Sequence, residues 1–137
     1  MVRPANPSRE FLRVAKKRQA AAELLVHHGF PTEAVYLAGY AVECGTKAIL
    51  LECVPRKDRP AFMAAEFRGL RGHNLYNLKD RLRERSVHFP VAVLADFRIV
   101  AEWTTDLRYE TRDLDLTEAR EFLAASERIL NWCEQRL

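Results

Sequence analysis

Polar and apolar positions in this chain recur with a helical period from one end to the other. Phe11, Ala15, Ala22 and Leu25 form one stripe and Gly29 supplies a stop, so the pattern predicts a helix from a Ser8 cap through about His28. Pro31, with Thr32 as a capping residue and Glu33 in the first turn, starts a second helix that Pro55 ends. Residues 56–72 are less regular: Pro60 opens a turn or two around FMAAEF, glycines at 69 and 72 break it, and a loop-rich connection is expected. Leu75, Leu78 and Leu82 mark a third helix over about 74–85. Pro90 suits the first turn of a fourth, in which Val93, Phe97, Val100 and Leu107 recur with Trp103 adjacent. After the polar run RYETRDLDL, Thr117 and Glu118 start a last helix, with Ala119, Phe122, Ile129 and Cys133 on one stripe and Leu123, Leu130 and Leu137 beside it. No stretch alternates as a strand does. Short links favour antiparallel neighbours, so the expected fold is all-α, an antiparallel up-and-down bundle of four to five helices forming one domain over 1–137.

The second of these helices departs from a simple amphipathic pattern. TEAVYLAGYAVECGTKAILLECV, residues 32–54, is apolar on nearly every side, yet Tyr36, Tyr40, Glu43 and Lys47 fall on one face at spacings of four, three and four. Ionised groups are rarely buried unless paired, and Glu43 to Lys47 is the favourable i to i+4 order. The pair is therefore a seam between helices or across a dimer, with Lys47 as a phosphate ligand the sharper alternative. Tyr36 and Tyr40 are core residues whose hydroxyls reach a polar partner, or rings on which a base stacks. His73 either caps the third helix or hydrogen-bonds the Glu43 and Lys47 stripe. Arg108, Tyr109 and Arg112 put two cations and a ring near a helix end, where a phosphate or an acidic neighbour such as Glu43 is held.

Composition narrows the classes. At 137 residues, 48% hydrophobic and 30% charged, the chain has the makings of one folded core rather than a disordered segment. No run of about eighteen uninterrupted apolar residues and no apolar run at the N-terminus lead to the expectation of a cytoplasmic protein without a membrane segment. The net charge of +3 permits an anionic partner without making a dedicated nucleic-acid binder, and most of the clustered Lys and Arg read as solvated helix faces. Cys44, Cys53 and Cys133 have neither zinc-ligand nor redox spacing and read as small core residues; His27, His28 and His88 go to surface and turns. No metal site or cofactor is expected. The scattered glycines build no phosphate loop, and the serines sit in no nucleophile setting.

AVYLAGYAVECGTKAILL, then GHNLYNL, then LRYE ahead of a terminal helix, together resemble a HEPN domain over most of the chain. The resemblance implies an all-α antiparallel bundle, commonly a homodimer, found beside minimal nucleotidyltransferases or in toxin and antitoxin systems. Some members of that family are metal-independent ribonucleases with an Arg, four to six residues, and a His; others bind nucleotides or serve as non-catalytic modules. Here Arg68 and His73 have that spacing but lie ahead of the third helix, whereas the family's motif lies between the third helix and the last. Arg108 is better placed, yet no histidine follows it. The resemblance thus implies a dimeric module that binds a nucleotide, RNA or partner protein without catalysis. Its ligand-binding candidates are Tyr40, Glu43, Lys47, His73, Arg108 and Tyr109. The alternative is a toxin-like ribonuclease using Arg68 and His73.

Overall fold

A computed structural model describes residues 6–68 and 72–137. Among these the helices are α1 (Pro7–His27), α2 (Pro31–Glu52), α3 (Arg59–Glu66), α4 (Leu75–Glu84), α5 (Val91–Val100) and α6 (Leu116–Arg136), with short 3-10 turns at Arg56–Asp58 and Thr105–Tyr109. No strand occurs among the described residues, and the fold is the expected all-α bundle.

The bundle is organised around α2, which packs against α1, α4, α6 and the Thr105–Tyr109 turn. Its length and mean hydropathy of 1.2 would suit a membrane span, but 83% of that window is buried under the other helices, so its apolar surface is spent on the core. Leu50, Leu51, Leu75, Leu78, Leu82, Phe97, Leu123 and Ile129 are fully buried there. At roughly 1.5–3 kcal/mol for each such side chain, this cluster is the main favourable contribution to folding.

Side-chain bonds between helices fix their relative directions. Ser8 Oγ, at the start of α1, donates to the Ala48 carbonyl near the end of α2 at 2.9 Å, so these two run antiparallel. α1 also opposes α6: Lys16 pairs with Glu134, while Gln19 Nε2 reaches the Leu123 carbonyl at 3.1 Å. α5 opposes α6 in turn, because the exposed Arg128 grips the buried Asp96 carboxylate through Nε at 2.9 and 3.0 Å and Phe89 meets the Trp132 ring edge-on.

The expected helix starts are displaced by tertiary partners. Ser8 does not cap α1; Asn6 stands at that position without a side-chain bond to the helix's own N–H groups, and the Ser8 hydroxyl is buried on α2. Thr32 does not cap α2. Its Oγ1 accepts from Leu114 N at 2.9 Å and donates to the Arg112 carbonyl at 3.3 Å, pinning the polar 112–114 segment to the head of α2. The connection after α2 is more ordered than its sequence suggests. Arg59, 5% exposed, donates to the Val54 carbonyl at 3.0 Å and to Asn6 Oδ1 at 3.2 Å, fastening α3 to the end of α2. The fourth expected helix is shorter than its periodicity implies: α5 stops at Val100 and Leu107 belongs to the following 3-10 turn. The chain leaves the helix so that Trp103 can fold back onto α2.

Candidate functional site

Glu43 and Lys47 are 3% and 4% exposed, which makes them the most deeply buried ionised pair of the described residues, and they answer each other directly. Lys47 Nζ donates to Glu43 Oε2 at 3.2 Å, and the other carboxylate oxygen, Oε1, lies 2.7 Å from His73 Nδ1. A carboxylate only accepts, so Nδ1 carries the proton in this bond and Nε2 is the ring nitrogen left for other work. Both oxygens of Glu43 are thereby occupied within the chain. Lys47 is also held over the Phe67 ring, 5.0 Å from its centre, and Phe67 in turn meets Phe11 and Phe62 edge-on.

His73 reaches Glu43 because of its neighbours. Asn74 caps α4, its side chain accepting from Asn77 N at 3.0 Å, so capping falls to Asn74 and the imidazole is free to turn inward. Gly72 passes so close to Phe67 that a β-carbon on it would lie 2.5 Å from the Phe67 carbonyl oxygen; only glycine permits that approach.

Beyond the ions lies an aromatic group. Tyr40 meets His73 edge-on at 6.1 Å, Trp103 at 5.0 Å and Tyr36 at 5.1 Å, and the two tyrosine hydroxyls share a hydrogen bond of 3.4 Å. Burial, helped by the Tyr36 hydroxyl, pushes the Tyr40 phenol up to about 12. The Trp103 indole lies flat enough on α2 that a β-carbon at Gly39 would sit 2.1 Å from its Cε2 and Nε1. Gly39 is therefore the seat of Trp103, and the buried indole N–H facing it has no hydrogen-bond partner among the described residues, at a cost of about 1–3 kcal/mol.

The outer end of this line is polar and open. Arg108 and Tyr109 are exposed, with the guanidinium 4.8 Å from the Tyr109 ring centre. Tyr109, and less strongly Tyr36, hold the Arg108 guanidinium above its ordinary pKa, and the charge of Arg108 is felt at Tyr40. Arg108 makes no ion pair with Glu43, contrary to one expected arrangement, because Lys47 and His73 already satisfy that carboxylate. Beside His73 opens a cleft of about 360 Å³ bounded by Tyr76, Glu102, Trp103, Thr104 and Asp106, in which the Tyr76 hydroxyl donates to Glu102 at 3.0 Å. The sequence did not single out Tyr76, Glu102 or Asp106 for this position; nothing in their spacing marks them, since the return of the chain at Trp103 brings them together.

Tyr40, Glu43, Lys47 and His73 are thus contiguous, with Arg108 and Tyr109 at the edge of the same group. Arg68 is exposed on the segment leading toward His73, and residues 69–71 between them lie outside the described ones. No cluster of three or more metal-ligating side chains occurs among the described residues. Compared with known proteins, the chain matches no family model, no curated protein and no solved structure.

Proposed function

We infer that this chain is a HEPN-like helical module, acting as a homodimer, that binds a nucleotide or RNA and does not cleave it. One observation carries this reading: the central carboxylate, Glu43, is spent internally on Lys47 and His73, while the exposed cation and ring of Arg108 and Tyr109 are left to meet a ligand. A guanidinium over a tyrosine ring offers a fork for phosphate oxygens next to a face for a base. The adjoining cleft adds carboxylate and hydroxyl acceptors suited to the N–H groups of a base edge.

Thermal-shift titration with nucleoside mono- and triphosphates, and fluorescence polarisation with a short single-stranded RNA, test the reading. The expected result is saturable stabilisation that Arg108→Ala weakens at least tenfold; no stabilisation and no RNA binding would remove it. Binding of a partner protein of the nucleotidyltransferase class would then be the remaining role for such a module. Sedimentation of the purified chain tests the dimer, and a monomer at micromolar concentration contradicts it.

A second reading, a metal-independent ribonuclease using Arg68 and His73, draws support from the Glu43 bond to His73. A buried carboxylate at Nδ1 orients an imidazole and leaves Nε2 to take or give a proton. RNA cleavage that survives in His73→Ala, or is absent from the purified wild-type dimer, rules this out.

A further inference from the structure

We propose that a second pocket, between the end of α4 and the start of α5, binds a single phosphate group. The pocket holds about 170 Å³ and is lined by Lys79, Arg83, Val87, His88, Phe89 and Leu94. It shares no residue with the group around Glu43, and the proposal does not rest on the reading given above.

Charge is the first argument. Four larger cavities each carry at least one carboxylate, from Glu23 and Glu127 in the grooves along α1 and α6 to Glu102 and Asp106 beside His73. The Lys79 pocket has two permanent cations and an imidazole on its walls and no carboxylate. Nor are those cations neutralised from outside. Lys79 forms no ion pair among the described residues, its ammonium lying 5.9 Å above the Phe97 ring centre, and Arg83 has only Asp80 at 3.8 Å with both side chains more than half exposed. A guanidinium and an ammonium together supply a planar fork and a point charge, the two donor types that phosphate oxygens take best.

Local backbone structure is the second argument. Lys79 and Arg83 are one turn apart on α4, hence on one face. α4 then ends in a Schellman turn: Ser86 N donates to the Arg83 carbonyl at 3.0 Å and Val87 N to the Leu82 carbonyl at 2.9 Å. That motif requires a left-handed residue where glycine is usual, and here Ser86 occupies it at φ 62°. The turn buries Val87 and brings His88 back beside the two cations. Size is the third argument. About 170 Å³ is well below the roughly 300–1,000 Å³ of pockets that enclose whole drug-sized ligands, so the pocket fits one phosphate rather than a nucleotide.

The chain has four histidines, so imidazole proton resonances can follow His88 directly while inorganic phosphate is added at constant ionic strength. The expected result is a saturable shift of the His88 signals with no shift at His73. A Lys79→Gln, Arg83→Gln double variant should weaken the response at least tenfold, and Arg108→Ala should leave it unchanged, which separates this pocket from the proposed nucleotide site. An equal response to chloride, no response at His88, or an undiminished response in the double variant overturns the proposal. A 5′-phosphorylated oligonucleotide and its 5′-hydroxyl form distinguish the source: tighter binding of the first, abolished by the double variant, assigns the pocket to a nucleic-acid terminus, and equal binding assigns it to a free phosphate or small phosphate ester.

Discussion

Two of the polar networks buried among the described residues differ in kind. Between α1 and α6 the network has a neutral centre: Ser126 Oγ donates to Gln19 Oε1 at 2.6 Å, and Gln19 Nε2 donates to the Leu123 carbonyl at 3.1 Å and, toward the rim, to the Glu23 carboxylate at 3.0 Å. The buried amide and hydroxyl satisfy each other, Glu23 stands at the part-buried rim, and none of the three borders the cleft beside His73. Along α2, by contrast, the network is ionic, and it runs from Lys47 through Glu43 to a histidine whose side chain is 38% exposed. A network with a neutral centre fixes how two helices register. An ionic one costs more desolvation for the same task, and opening toward a cleft is what distinguishes it.

Removing the charge at the centre should give the largest effect. Glu43→Ala leaves Lys47 buried without its partner and is expected to cost roughly 3–5 kcal/mol in chemical denaturation. Glu43→Leu with Lys47→Met should recover most of that loss, and a double variant as unstable as the single would mean that the pair is not coupled. Gly39→Ala comes next. Its β-carbon has no room under Trp103, so about 1–3 kcal/mol should be lost together with a change in tryptophan fluorescence. Unchanged stability would show that the indole moves aside freely. In the network between α1 and α6, Ser126→Ala strands the Gln19 carbonyl oxygen and should cost about 1–2 kcal/mol without altering ligand binding; an altered affinity would erase the distinction between the two networks.

The smallest effect concerns alkaline pH. Tyr40 has a folded-state value of about 12 against an ordinary 10.0, so its contribution is fully present below pH 10 and lost as pH rises from there toward 12. Cys44, raised by burial to about 11, and Cys133, raised to about 12, act in the same direction from pH 9 upward. Tyr40→Phe should therefore flatten the stability curve above pH 10, with Cys44→Ala flattening it from pH 9. A Tyr40→Phe curve parallel to wild type would show that the phenol is not held neutral by the fold.

Much of the architecture was legible in the sequence because helical periodicity is a local property. The stripes Ala15 with Ala22, Leu75 with Leu78 and Leu82, and Ala119 with Ile129 and Cys133 are all buried as their spacing requires. The pairing of Glu43 with Lys47 was legible for the same reason, since a separation of four residues brings side chains together on any helix. Helix starts were less so. Ser8 and Thr32 have the chemistry of capping residues, and only packing decided that their hydroxyls would bond to Ala48 and to the 112–114 segment instead. The end of α5 was misread because Leu107 continues the apolar period of Val93, Phe97 and Val100 across a break that no glycine or proline announces.

What the sequence determined by itself is five of the helices, their inward faces and the presence of an ion pair on the most apolar of them; the helix Arg59–Glu66 falls where a loop-rich connection is expected. Tertiary structure alone decided that His73, thirty residues from Glu43 in the chain, would take the second carboxylate oxygen, that Trp103 would lie on Gly39, and that Lys79, Arg83 and His88 would share a pocket without a carboxylate. Periodicity fixes which side of a helix is apolar within one or two turns. Contacts between distant segments depend on how the chain reverses at Trp103 and Ser86, and those reversals are set by packing against α2 and by a single left-handed residue rather than by any repeating pattern.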